Sequence, residues 1–233
     1  QTFGAYTYLI KQSIWVCVGT VVLLVMANVD YHNYYKCGNI LIVISMILLV
    51  IVLTGQGGTI NGATRWINLG FASITPSEFS KVIVIIFTST FLVSNPDAAK
   101  TPKGLAVLFG VMAIHAGLII KQPNLSTAIV ICAIMFGIML TAGISWWFAG
   151  VGVGLGALGA FVIINFLPDT HWYSRLTSWQ DPFASFSGEG YQVAQSIIAL
   201  GNGGLKGMGF GNSISKNLYL PEPQNDFILA IIG

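Results

Sequence analysis

The sequence predicts an all-α polytopic membrane protein, and three observations carry that expectation. Charged residues make up 8 % of the chain and hydrophobic ones 55 %, whereas a soluble domain carries about 25 % charged residues. So few charges cannot keep a surface wet, so lipid must cover most of it. Six stretches are apolar over nearly the length, about 20 residues, that a helix needs to cross hydrocarbon. Finally, no run alternates as a barrel strand would, and unpaired backbone in lipid otherwise leaves only helices.

The expected spans are 12–29, 38–54, 78–94, 104–120, 125–142 and 145–167, with 226–233 as the start of a seventh. Asn33–Lys36 and Asn95–Lys103 read as short polar connections, the second holding Pro96 and Pro102. Thr141-Ala142-Gly143 reads as a very tight turn. The sixth span carries Gly150, Gly152, Gly154, Gly156 and Gly159, a spacing that lets another helix pack closely. The chain is expected to form a single transmembrane domain over 1–233, with one long extra-membrane loop at 168–226. It opens on Gln1 and stops at Gly233 inside an apolar run too short to span. Both ends are therefore expected to be cuts in a longer protein.

The net charge of +2 is too small to argue for nucleic acid or another strongly acidic partner. Cys17, Cys37 and Cys132 are odd in number and lie in or beside apolar runs. With no CxxC or Cys/His spacing they read as small apolar fillers rather than metal ligands or disulfides. Alternating spans divide the polar connections into two sets. Lys36, Lys100 and Lys103 fall on one side, and Lys11, Arg65, Lys81 and Lys121 on the other. The short loops are thus nearly balanced, and the positive-inside rule does not orient the chain.

Unusual residues converge on the second side. Arg65 and Trp66 stand together at a membrane boundary in Asn61-Gly62-Ala63-Thr64-Arg65-Trp66. A guanidinium there suits bidentate phosphate binding. Both side chains equally suit interfacial snorkelling and anchoring, and residue type does not separate the two. At the next helix start, Thr75 or Ser77 is the expected cap, with Pro76 in the first turn. Glu78 and Lys81, three apart, share a face. Ionisable groups in a span are functional candidates, although a structural ion pair fits the same residues. Lys121-Gln122-Pro123-Asn124 is a further polar cluster on that side, while His115 reads as a satisfied core histidine.

The long polar segment 168–226 holds five of the eight acidic residues: Asp169, Asp181, Glu189, Glu222 and Asp226. Asp226 follows Leu220-Pro221-Glu222-Pro223 where the chain turns apolar again. A carboxylate at that position suits a general base and equally suits an N-cap.

Five motifs take the reading further: GATRWINLG (62–70), PSEFSK (76–81), KQPNLSTA (121–128), DPF with GEGYQVAQSIIALGNGGLKGMGFGNS (181–213) and LYLPEPQNDFILAIIG (218–233). In this order they resemble the SEDS family, the shape, elongation, division and sporulation proteins FtsW, RodA and SpoVE. The wording of 216–222 is closer to the division and sporulation branch than to RodA. Family members have ten transmembrane helices, so the chain would begin after the first helix and end as the eighth begins, with 168–226 extracellular.

The resemblance implies a peptidoglycan glycosyltransferase of the bacterial cytoplasmic membrane, its active site facing outside. Such an enzyme polymerises lipid II beside a class B penicillin-binding protein that cross-links the product. Asp226 matches the family's essential aspartate and would be the general base. Arg65 and Lys121 would hold the pyrophosphate, and Glu78, Lys81, Trp66 and Glu222 would line the substrate site. A divalent cation, magnesium or manganese, could share the charge stabilisation, but no ligand cluster here establishes one. The third motif departs from the family's Gln-Pro-Asp-Leu-Gly-Thr, with Asn124 and Ser126 in place of the acid and the glycine. A flippase for the same lipid, or a scaffold that only recruits the synthase, remains as an alternative, and the chain alone is expected to be inactive.

Overall fold

The computed structural model describes residues 5–54, 65–68, 73–166, 173, 181–183, 190–204, 207–209 and 228–232. The main helices are α1 (Ala5–Ala27), α3 (Gly38–Leu53), α4 (Pro76–Ser94), α5 (Pro102–Ile120), α6 (Leu125–Thr141) and α7 (Trp146–Phe166). A single turn, α2 (His32–Tyr35), joins α1 to α3. All six expected spans are therefore helical. Leu9–Ala27, Pro76–Ser94, Pro102–Ile120 and Trp146–Phe166 are long and apolar enough to cross a membrane, while α3 and α6 are shorter. At about 1.5 Å per residue, the 16 residues of α3 reach only about 24 Å.

Local chemistry sets the ends. Thr75, extended at φ −105° and ψ 98°, precedes Pro76 at the first helical position of α4. Proline is favoured there because its missing N–H would have had no intrahelical partner. Thr75 is thus the N-cap, though its side chain makes no capping bond, and Ser77 is buried inside the helix. Thr101 Oγ1 accepts from Gly104 N (3.4 Å) ahead of Pro102, which starts α5. Asn124 Oδ1 accepts from Thr127 N (3.4 Å) at the start of α6. The tight turn after α6 is a Schellman motif: Gly143 at φ 79° donates to Leu140 O, and Ile144 donates to Met139 O. Left-handed backbone is nearly free for glycine and costly for other residues.

The chain divides into two compact units, Gln1–Gly150 and Val151–Gly233. In the first, α3, α4, α5 and α6 pack round a core of Ile42, Leu49, Val84, Phe87, Ile119, Ile131 and Met135. A second cluster, with Leu92, Leu105, Leu108, Met139 and Ile144, continues it towards the Asn95–Thr101 connection. From Leu9 onward α1 is exposed, as a helix facing hydrocarbon would be. In the second unit Ala199 of α8 (Tyr191–Gly203) packs on Ala230 of α9 (Ile228–Ile232). Within the expected loop 168–226, α8 is thus an ordered helix that the sequence reading did not single out. Among the described residues nothing lies within 4 Å of a Cβ built on Gly150, Gly154, Gly156 or Gly159. The close packing expected of that stripe is not made by them.

The loop between α3 and α4 holds a second feature absent from the sequence reading. Strands β1 (Ile67–Asn68) and β2 (Ser73–Ile74) pair antiparallel, Ile67 opposite Ile74 and Asn68 opposite Ser73. Ser73 Oγ also donates to Asn68 Oδ1 at 2.7 Å. Two-residue strands are too short to show a period of two, so no alternation announced them. The pair brings the chain back to the start of α4, leaving Arg65 and Trp66 just ahead of it.

A membrane-end cluster around Arg65

Four helix ends meet at one end of the first bundle: the end of α3, the start of α4, the end of α5 and the start of α6. Short connections join α4 to α5 and α5 to α6, which therefore run antiparallel, and Gly38 at the start of α3 lies against Thr90 near the end of α4, so α3 and α4 do too. Arg65 Nε donates to Gln122 O at 3.1 Å, and Arg65 Nη2 donates to Pro123 O. The guanidinium thus clasps the α5–α6 turn from 57 residues away in sequence. Two of its five donors are engaged in this way. This answers part of the ambiguity at Arg65, which is an anchored group rather than a freely snorkelling one.

The clasped turn is itself tied down. Gln122 is fully buried, and its Nε2 donates to Leu49 O near the end of α3 at 3.1 Å. Backbone bonds from Gln122 N to Ile119 O and from Asn124 N to Ile119 O close the turn. Lys121, the exposed C-cap of α5, is held at the same end beside residues that Arg65 contacts. Asn124 spends its side-chain oxygen on the α6 cap. The amide oxygen makes this cap without a charge. Sequence reasoning grouped residues 121–124 but missed that Gln122 is their keystone. Its only signal was an amide adjoining a span.

Glu78 and Lys81 form an ion pair of 2.6 Å on the first turns of α4. Their side chains are 56 % and 30 % exposed, and such i,i+3 pairs contribute about 0.2–0.5 kcal/mol. That is too little to explain placing two charges at a membrane boundary as a device for stability. Trp66 is half-buried beside Arg65. Asp226 and Glu222 lie outside the described residues. A cavity of about 520 Å³, with Phe91, Asn95, Asp97, Thr101 and Lys103 in its lining, opens at the far end of α4, away from Arg65. Among the described residues no three His, Cys, Asp or Glu side chains gather as a metal's ligands.

An α-helical, multi-pass membrane protein with an arginine-clasped polar turn at one end of a four-helix bundle is the class that fold and site define. The whole chain, residues 1–233, matches the family described as "Cell cycle protein" and named for FtsW, RodA and SpoVE, and it belongs to that family. It is 34 % identical to the "Probable peptidoglycan glycosyltransferase FtsW" of Alkalilimnicola ehrlichii over 97 % of its length, and 34 % identical to that of Coxiella burnetii over 100 %. It spans 56 % and 63 % of those relatives' lengths. A solved structure described as "Structural coordination of polymerization and crosslinking by a peptidoglycan synthase complex" matches 84 % of this chain and 58 % of its own, at a TM-score of 0.64 and 28 % identity. The Thermus thermophilus rod shape determining protein RodA covers 64 % of this chain and 49 % of its own at a TM-score of 0.54; at 24 % identity it supports the fold alone.

Proposed function

We propose that the protein of which this chain is a part polymerises lipid II into glycan strands at the outer face of the bacterial cytoplasmic membrane. The observation that carries this reading is the cluster itself. Arg65, the 121–124 turn and the Glu78–Lys81 pair gather at one end of the bundle, in a chain matched along its length to relatives named as glycosyltransferases.

The chemistry asks for two things. An acceptor sugar hydroxyl must lose its proton as its oxygen attacks the donor's anomeric carbon, and Asp226 is the base assigned to that proton. The bond from the anomeric carbon to the pyrophosphate breaks, and its electron pair leaves with the lipid pyrophosphate. One displacement inverts the centre and needs no covalent intermediate. The negative charge that develops on the leaving group needs fixed cations, and Arg65 and Lys121 stand at one membrane end to supply them. Glu78, Lys81, Trp66 and Glu222 contact the substrate in this reading, and a class B penicillin-binding protein cross-links the product.

The test is polymerisation of purified lipid II by the full-length protein with its partner synthase, compared with lipid II transport in sealed vesicles. Polymer formation that falls at least about tenfold in Arg65→Ala, without transport, supports the enzyme. Lipid II movement without polymer would establish the flippase instead. Neither activity, with partner recruitment intact, would leave the scaffold.

A further inference from the structure

Three of the buried polar side chains of the bundle lie together: Ser45 on α3, Ser80 on α4 and His115 on α5. All are buried, at 1 %, 1 % and 0 % exposure. Ser45 Oγ lies 2.8 Å from Ser80 Oγ and 3.3 Å from His115 Nε2. Ser80 Oγ also lies 3.0 Å from Pro76 O, and His115 Nδ1 lies 3.0 Å from Val111 O. A carbonyl only accepts, so His115 Nδ1 carries a proton and donates to Val111 O. In the neutral ring Nε2 then accepts from the Ser45 hydroxyl. Ser45 Oγ in turn is open to the Ser80 hydroxyl, which faces Ser45 Oγ and Pro76 O. Ser80 has one proton for two acceptors, Ser45 Oγ and Pro76 O, so when that proton faces Ser45 the chain runs from Val111 O on α5 to Ser80 on α4.

Its position gives it a task. Beyond the Glu78–Lys81 turn, apolar side chains lie on both faces of α4: Val82 and Ile85 are exposed, and Val84 and Phe87 are buried beside Thr88. In lipid such a helix gains little by turning one apolar face inward rather than another. A misplaced hydroxyl, by contrast, leaves polar groups unpaired in hydrocarbon, at several kcal/mol each. The polar link favours one rotation of α4, although that rotation also buries Ser77 Oγ and Thr88 Oγ1 without a partner among the described residues, and sliding α4 by one residue would turn it by about 100°. Ser80 lies between Glu78 and Lys81, so the rotation it fixes is theirs.

We propose that Ser45, Ser80 and His115 are positioning residues that set the rotation and depth of α4, and with it the direction in which the Glu78–Lys81 pair faces the substrate. The substrate part of this statement rests on the function proposed above. The orientation part does not, and the two are tested separately.

In the full-length protein with its partner, the acylation rate of each lysine by a water-soluble amine reagent is read by mass spectrometry. Lys81 should react about fivefold faster in Ser80→Ala and Ser45→Ala, the factor for losing one net hydrogen bond of about 1 kcal/mol. It should stay at the native rate in Ser80→Thr, which keeps the hydroxyl. Lys103, at the far end of the bundle, is the control and should not change, whereas general loosening of the fold would speed both. If Ser80→Ala fails to fold, Ser45→Ala tests the same link. Native Lys81 reactivity in a folded alanine variant overturns the proposal. In polymerisation assays the alanine variants should raise the KM for lipid II while kcat stays within about twofold. Faster Lys81 labelling with an unchanged KM would uphold the positioning and remove the pair from the substrate site.

Discussion

Arg65 donates to the carbonyls of two consecutive residues, Gln122 and Pro123, a use of the planar guanidinium fork that an ammonium cannot copy. Arg65→Lys should therefore lower polymerisation about tenfold or more despite keeping the charge, since hydrogen bonds from charged donors contribute about 1.5–3 kcal/mol each. Native rates in that variant would mean that charge alone suffices. Gln122→Ala removes a fully buried side chain and its bond to Leu49 O. It should destabilise by about 1–3 kcal/mol, read as a lower unfolding temperature in detergent. In the α1–α3 connection, the backbone amide of His32 and then its ring hold the Asp30 carboxyl below its ordinary 3.8. A lowered carboxyl favours the folded connection above the ordinary value and loses that preference as pH falls through the lowered one. Protection of the His32 amide, which donates to Asp30 Oδ1, should accordingly persist down to the ordinary carboxyl range and be lost only on further acidification, read as exchange relative to an unstructured peptide. Arg65 and the Glu78–Lys81 pair were legible as candidates from residue type at a membrane boundary. Gln122 was legible only as part of a polar turn, and Ser45 and Ser80 not at all, because a neutral polar residue does not show in sequence what it touches.

Helix limits were the most legible feature at the next scale, for reasons that can be named. Pro76 and Pro102 begin α4 and α5, Asn124 caps α6 and Gly143 ends it, each a residue whose backbone chemistry acts locally. The β1–β2 pair was missed because two-residue strands show no alternation, and α8 because its packing partner, Ala230 of α9, lies in another stretch of the chain. Glycine shows the same division between local and distant causes. A Cβ on Gly104 would stand 2.4 Å from both Cα and O of Ala98, whereas one on Gly117 meets nothing within 4 Å. Gly104→Ala should thus destabilise by about 1–3 kcal/mol, because backbone cannot yield as a side chain can. Gly117→Ala should be neutral or stabilise by up to about 1 kcal/mol through a better helix former. Equal unfolding temperatures for the two variants would contradict the packing of the Asn95–Thr101 connection on α5.

For the whole molecule, membrane insertion followed from hydrophobicity and span length, whereas the grouping of the polar ends depended on tertiary contacts. The Arg65 clasp joins segments 57 residues apart, and nothing local in either announces the other. Asp226 drew its role from the LPEPQND wording of residues 220–226 and its family resemblance, since an aspartate before a helix is as good a cap as a base. The central claim is that this aspartate takes the acceptor's proton in the proposed polymerisation. The most direct measurement is polymerisation of purified lipid II by the full-length protein with its partner synthase, native against Asp226→Asn, with folding and partner binding checked in both. Asparagine keeps the size and hydrogen bonding of the side chain but cannot accept the proton as a carboxylate does. The account predicts a fall of about 10²-fold or more; polymer at the native rate would contradict it.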